Sequence, residues 1–240
     1  VGSGDEVRVQ INGITTLVAA EYAGDFNTNW FDPAFWGKKA APVSAGGRGS
    51  AWFIELPGQS WVLRQYQRGG LVRKLVRSQY LYTGEKRVRS FAEFRLLQRM
   101  VAKGLPVPVP VAAMYNLKNG WYSASIVLER LGGVSPMGSI IEQLKDSDWA
   151  SIGHTIREFH DQNVFHADLN CFNILIGASG VYVIDFDKGY IDPKADRDTP
   201  WKHSQLTRLK RSLRKVLTNN LDRGWRSLMQ GYQGNSPRSH

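Results

Sequence analysis

Cysteine is almost absent from this 240-residue chain: Cys171 is the only one, so no intrachain disulfide can form, and a secreted fold stapled by disulfides is excluded. Long apolar runs are absent too. A bilayer span needs about 20 consecutive apolar residues, and the longest candidate here, residues 105–115, is short and contains Pro106, Pro108 and Pro110. The 10 Pro and 24 Gly form no tract that would mark a linker or low-complexity segment, and no internal repeat is visible. The opening VGSGDE carries neither an initiator Met nor a secretory leader, and it is expected to be a foreign segment outside the fold.

With 42% hydrophobic and 22% charged residues, the chain can bury a sizeable core without metal or disulfides. The net charge of +10 is unevenly spread. From Lys194 onward, eleven Lys/Arg face three Asp, net +8; residues 64–95 carry nine Lys/Arg and two Glu, net +7, so the remainder is net −5. Two basic patches on a mildly acidic body suit phosphate groups, nucleic acid or an anionic membrane face, and equally a solvated surface.

Periodicity divides the chain into a strand-rich first part and a helical second part. An aromatic segment at residues 30–36 precedes alternating apolar and turn signals from Pro42 to Tyr66, which predict two or three antiparallel strands, including a hairpin of residues 51–56 and 61–65. Gly46, Gly47 and Gly49 lie in the loop before it, where backbone N–H groups can approach an anion, although such loops usually only turn the chain. Phe91, Phe94, Leu97 and Val101 recur at helical spacing and predict a helix over residues 87–103, stopped by Gly104. Strands are expected at 105–115 and 121–128, then helices through Trp149, Ile152, Ile156 and Phe159, with Asp148 as a cap, and through Leu206, Leu209, Leu213 and Val216.

Residues 165–188 carry the chemistry. Apolar runs at 174–176 and 181–184 flank the turn 177–180, predicting a hairpin entered through His166, Ala167, Asp168, Leu169, Asn170, Cys171, Phe172 and Asn173 and left through Asp185, Phe186 and Asp187. Antiparallel pairing sets the entry beside the exit, so Asp168, Asn173 and Asp185 share a small volume. Oxygen donors without sulfur suit a hard ion such as Mg²⁺ on Asn173 and Asp185, and disfavour zinc. Asp168, five residues before the amide, is then free to take a proton from an attacking hydroxyl, which is the kinase pattern His-x-Asp-x4-Asn followed by Asp-Phe. His166 is read as structural and Cys171 as a buried small side chain rather than a nucleophile.

The chain resembles the 3-deoxy-D-manno-octulosonic acid (Kdo) kinases, lipopolysaccharide-core sugar kinases with a protein-kinase-like fold. The resemblance runs over residues 30–217, through Gly47-Arg48-Gly49 before Trp52-Phe53, Val62-Leu63-Arg64-Gln65-Tyr66, Ala92-Glu93-Phe94, Leu105-Pro106-Val107-Pro108, His166-Ala167-Asp168-Leu169-Asn170, Asn173-Ile174-Leu175, Ile184-Asp185-Phe186-Asp187, Trp201 and Arg208-Leu209. It implies an α+β, two-lobed protein-kinase-like fold, with a small antiparallel-sheet lobe carrying one main helix (residues 1–128) and a mostly helical lobe (129–240), and with ATP and Mg²⁺ bound between them.

The implied activity is ATP-dependent phosphorylation of a hydroxyl, expected at O4, on the Kdo residue of Kdo-lipid A, by a peripheral protein at the cytoplasmic face of the inner membrane. No nucleic acid and no obligate protein partner is expected. Another acceptor, such as a heptose, a small molecule or a protein, and a catalytically silent module binding membrane or nucleic acid are the rival readings.

The resemblance also assigns roles residue by residue. Asp168 becomes the catalytic base, Asn173 and Asp185 the metal ligands, and Gly46, Gly47 and Gly49 a phosphate-covering loop that lacks the third glycine of protein kinases, since Trp52 stands there. Arg64 occupies the place of the protein-kinase lysine on the third strand, to meet phosphate and pair with Glu93. Ser90-x-x-Glu93 is also a capping-box pattern, which would tie Glu93 to a helix N-terminus instead. Glu129 and Leu131 would offer backbone groups to adenine. Asp187 replaces the usual glycine after Asp-Phe. The helix expected at 204–217 sets Arg208, Lys210, Arg211, Arg214 and Lys215 around its leucine stripe, either solvated or facing anionic headgroups, and the tail beyond Gly231 is expected to be disordered.

Overall fold

The computed structural model describes residues 6–43, 50–66, 79–196, 198–217 and 221–234. Contacts divide the chain into two units, one running to Lys103 and taking in Pro108–Arg130, the other formed by Gly104–Val107 and everything from Leu131 onward. Gly104–Val107 joins the second unit because the Pro106 carbonyl accepts the Val183 N–H at 3.0 Å.

The first unit is an antiparallel sheet. Its strands are β1 (Glu6–Ile11), β2 (Ile14–Ala19), β3 (Ala40–Pro42), β4 (Ala51–Leu56), β5 (Gln59–Gln65), β6 (Tyr80–Leu81), β7 (Pro110–Lys118) and β8 (Trp121–Glu129), in spatial order β1-β2-β7-β8-β5-β4-β3, with β6 also on β8. Two hairpins turn on Asn-Gly pairs in the left-handed region, Asn12 (φ 48°) with Gly13 (φ 80°) and Asn119 (φ 52°) with Gly120 (φ 78°); this backbone matches the right-handed strand twist. The first of these hairpins corrects the expectation for VGSGDE at its last residue, Glu6; residues 1–5 lie outside the described residues. Glu6 begins β1, and its carboxylate takes the Arg95 guanidinium in a fork at 2.6–3.1 Å.

The pleat decides what each strand residue meets. Leu63 of β5 lies opposite Val127 of β8, and both belong to an aromatic-rich core with Trp30, Phe31, Ile54 and Trp61, while the next pair along, Arg64 and Ile126, belongs to the other face. The segment after β2, with its short helix α1 (Pro33–Trp36), covers the first face: Trp30 and Trp36 pack on Trp61 with ring centroids 4.7 and 5.8 Å away. Helix α2 (Arg89–Ala102) packs on β7 and β8, burying Phe91, Phe94, Leu97 and Met100. It starts two residues later than its periodicity suggested, because Glu85–Arg87 forms a separate 3-10 turn.

The second unit contains β9 (Val134–Pro136), α3 (Met137–Ile140), α4 (Asp146–Asp161), β10 (Val164–Phe165), β11 (Ile174–Gly177), β12 (Gly180–Val183), β13 (Tyr190–Ile191), α5 (Pro200–Leu213) and α6 (Leu221–Gln233). Asp148 is the third residue of α4 rather than its cap, and its carboxylate accepts the Lys145 N–H at 2.8 Å. Helix α5 begins four residues before the predicted start, at Pro200, whose fixed φ and missing N–H suit a first turn.

Helix α6 overturns the expected disordered tail as far as Gln233. Its glycines are the reason it fits. A Cβ on Gly231 would lie 1.9 Å from the Ala150 carbonyl oxygen, and one on Gly153 of α4 would lie 1.9 Å from that of Leu228, so the two helices meet backbone to backbone. No described helix is long and apolar enough to cross a membrane.

Candidate active site

In the first unit, Arg64 projects from the β5 face shared with Ile126, and Glu93 lies one turn into α2. Arg64 Nη2 donates to Glu93 Oε2. The capping alternative for Glu93 fails because the helix begins after Val88, leaving Ser90 inside the first turn with its Oγ donating to the Met114 carbonyl at 2.9 Å. Glu93 is 2% exposed.

A second donor to the same carboxylate oxygen, the Tyr66 hydroxyl, was missed by the sequence reading. The signal was available: position 66 is two residues after 64 and so shares its face. Burial first, and then the Glu93 charge, push the Tyr66 phenol well above its ordinary value, so it stays protonated and donates. The Arg64 guanidinium also lies 5.2 Å from the centre of the Tyr66 ring. A cation is thereby fixed on the sheet by one carboxylate and one aromatic ring.

The other sequence candidates in this unit fare differently. Glu129 closes β8, donating its N–H to the Val109 carbonyl at 2.8 Å while its carboxylate accepts the Tyr22 hydroxyl at 2.6 Å. Leu131 opens the second unit. Gly46, Gly47 and Gly49 lie outside the described residues.

In the second unit, the loop between β10 and β11 is pinned at alternate positions. Leu169 and Cys171 are buried, while Asp168 is turned out. The Asn170 amide nitrogen donates to both the Asp168 carbonyl (3.0 Å) and Asp168 Oδ2 (3.2 Å), and its oxygen accepts the Phe172 N–H at 2.9 Å. Asn173 Nδ2 donates to that same Asp168 carbonyl at 3.0 Å, and the Asn173 carbonyl accepts the Ile184 N–H at 3.0 Å. Pairing of β11 with β12, Ile174 opposite Val183, therefore brings Asn173 beside the chain that leads into Asp185, as expected from the hairpin. Asp185 itself adopts φ 66°, a left-handed conformation that non-glycine residues enter rarely and that clusters at functional sites.

His166 joins the two ends of this hairpin. Its Nε2 donates to the Ile184 carbonyl at 2.9 Å, and its Nδ1 accepts the Asp168 N–H at 3.1 Å. To accept at Nδ1 while donating from Nε2 the ring must be neutral, and burial lowers its tendency to protonate. It packs 4.7 Å from the Phe186 ring, which is itself stacked on Phe159 at 5.6 Å. The structural reading of His166 holds. Cys171 is buried, and burial raises its thiol above the ordinary value, which removes it as a nucleophile.

The donor set fits a hard cation. With Asn173 Nδ2 engaged, its amide oxygen is the atom left to face a metal, and Asp185 adds a carboxylate; among the described residues no group of three or more His, Cys, Asp or Glu forms a softer or fuller cage. Such sparse protein ligation is characteristic of Mg²⁺, which keeps waters and takes substrate phosphates as further ligands.

Arg208 was the second omission. It was grouped with the solvated or headgroup-facing charges of its helix, yet Arg208 Nη1 donates to Asp168 Oδ1 at 2.9 Å. Forty residues separate the partners, so no local spacing could have revealed the contact.

Comparisons with known proteins identify the family. The profile of the family described as "Lipopolysaccharide kinase (Kdo/WaaP) family" matches residues 33–232. Among curated relatives, a 3-deoxy-D-manno-octulosonic acid kinase of Xylella fastidiosa (strain M12) is 46% identical over 188 residues, covering 78% of this chain and 74% of its own. The protein of that name from Xanthomonas euvesicatoria pv. vesicatoria (strain 85-10) is 41% identical over 209 residues, covering 85% and 83%. Among solved structures, an aminoglycoside-3'-phosphotransferase of type VIII aligns with TM-score 0.54 at 14% identity over 83% of this chain and 88% of its own, a likeness of fold.

Proposed function

The chain belongs to the lipopolysaccharide kinase (Kdo/WaaP) family and is a phosphotransferase of protein-kinase-like fold; from that premise we propose that it transfers the γ-phosphoryl group of ATP to a hydroxyl of the Kdo residue on lipid A, at O4. The observation that carries this reading is the loop from His166 to Asn173, wound so that Asp168 is exposed and oriented while the Asn173 oxygen and the Asp185 carboxylate stand at the two ends of one hairpin.

Each residue has a definable task. Asp168 accepts the proton of the acceptor hydroxyl or aligns that hydroxyl for in-line attack, its backbone held by both asparagine amides. Asn173 and Asp185 would hold Mg²⁺, which would supply neutralisation of charge on the phosphates of the nucleotide. Arg64, fixed by Glu93 and Tyr66, presents a guanidinium to phosphate oxygens. His166 keeps the Asp168 and Asp185 arms in register. Most of these tasks are positional, as expected for a reaction in which catalysis is chiefly alignment and charge stabilisation.

Peripheral association with the anionic cytoplasmic face of the inner membrane is the companion proposal. Its support is a groove of about 430 Å³ between α5 and α6, lined by Lys210, Arg211 and Arg214 together with Trp225 and Met229, in which basic groups and apolar surface lie side by side.

The deciding experiment is Mg²⁺-dependent transfer of labelled phosphate from ATP to Kdo-lipid A, with the product position read by NMR. Transfer to O4, abolished by Asp168→Asn, is expected; transfer to a heptosylated core but not to Kdo-lipid A overturns the acceptor. Flotation with vesicles containing anionic lipid, lost at 0.5 M salt, tests the membrane reading.

A further inference from the structure

Helix α5 is docked on the catalytic loop at two points one turn apart. Ser212 Oγ accepts the Cys171 N–H at 3.0 Å, and Arg208 reaches Asp168. Only the first of these is structural. Leu206, Leu209 and Leu213 already seat the helix in the core, whereas the Arg208 and Asp168 side chains are 54% and 61% exposed, and an ion pair so exposed contributes about 0–1 kcal/mol to stability. The fold gives no reason for a guanidinium at this place.

The contact has a chemical consequence instead. One oxygen of the Asp168 carboxylate is held by Arg208 and the other by Asn170. Any molecule that brings a hydroxyl to Asp168 therefore docks against a cation. The contact engages only Nη1 of a group with five N–H donors in a planar fork, and that fork matches a carboxylate.

We propose that Arg208 is the residue that recognises the acceptor's acid group, pairing with a carboxylate on the acceptor sugar while keeping Asp168 aligned to a neighbouring hydroxyl. The substrate class it selects is an acidic sugar rather than a neutral one. Arg208 is thus a specificity residue of the site, reached from a helix outside the loop. The inference rests on the acceptor reading above, since the acid sugar named there carries such a carboxylate.

The test compares the methyl glycoside of Kdo as its free carboxylate with the same glycoside as its neutral methyl ester, by calorimetric binding to the full chain and by steady-state phosphate transfer. For the wild type, the carboxylate is expected to bind about 30-fold tighter than the ester, the size of a lost charge-assisted pair. Arg208→Ala should bind both alike, Arg208→Lys should keep part of the preference, and thermal unfolding of both variants should match the wild type. In transfer, Arg208→Ala should raise the acceptor KM far more than it lowers kcat.

A wild type that does not distinguish the two probes, or an Arg208→Ala variant that still distinguishes them, overturns the proposal. A wild type that discriminates through Arg208 yet transfers phosphate neither to the glycoside nor to Kdo-lipid A supports Arg208 as an anion site and overturns the acceptor reading instead.

Discussion

Arg64–Glu93 in the first unit and Arg208–Asp168 in the second join the same two functional groups in opposite surroundings. The Glu93 side chain is 1% exposed and that of Asp168 is 61% exposed. A buried carboxylate must keep its partners, because removing one leaves a charge without solvent, whereas an exposed pair can open to water at little expense. The first pair therefore fixes a cation in one place, and the second leaves a cation and a base available to a ligand. The same chemistry serves rigidity in one unit and exchange in the other.

The largest effect that would sharpen this contrast lies at the exposed acid. Asp168→Asn should lower kcat by about 10³-fold, within the range for a removed general base, with circular dichroism and unfolding temperature unchanged. A variant that keeps substantial activity would deny Asp168 its role.

At the buried pair the expectation is reversed in kind. Arg64→Ala should lower stability by about 3 kcal/mol, because it leaves the Glu93 carboxylate with Tyr66 as its remaining donor among the described contacts. Denaturant unfolding measures this, and a loss below about 1 kcal/mol would erase the distinction between the pairs.

Two further expectations probe the frame that holds the second site. Gly153→Ala should cost about 2 kcal/mol even though alanine favours helices, since its Cβ would meet the Leu228 carbonyl oxygen at 1.9 Å.

Stability should also fall on acidification. His160 is buried with Nε2 donating to Gln205 Oε1 and Nδ1 accepting from the Tyr232 hydroxyl, and burial lowers its pKa to about 4. The unfolded chain, with a value near 6.5, then binds protons more readily, so stability present at pH 7 is lost as pH falls through 6.5 towards 4. The loss between pH 7 and pH 5 should be about 2 kcal/mol in thermal or denaturant unfolding, with a flatter profile for His160→Gln.

The smallest effect belongs to the exposed pair itself. Arg208→Ala should change stability by less than about 0.5 kcal/mol while altering acceptor recognition. A large loss of stability would make Arg208 a structural residue and end the comparison.

Much of this architecture was legible locally. The hairpin around Gly177 to Gly180, the α2 periodicity and the order His166, Asp168, Asn173, Asp185 all follow from patterns within about twenty residues, where pairing and helical repeat act directly. The β1–β2 hairpin is also legible in the sequence, through its Asn12-Gly13 turn between two apolar-alternating segments. Helix α6 was hidden for a physical reason: glycine at 224 and 231 lowers helix propensity, yet these are the positions where α4, with its Trp149, comes too close for a side chain. The basic row of α5 could be read as a row, but not which of its members meets Asp168.

By itself the sequence determined the chemistry on offer: one cysteine, an oxygen-donor set on a β-hairpin, an arginine where protein kinases carry lysine, and excess positive charge near the C-terminus. Only the tertiary structure decided the partnerships. Glu93 answers to Arg64 and Tyr66 rather than to Ser90, and Arg208 meets Asp168 forty residues away. Side-chain pairing depends on which faces the pleat and the helices turn towards each other, and that is settled when distant segments pack.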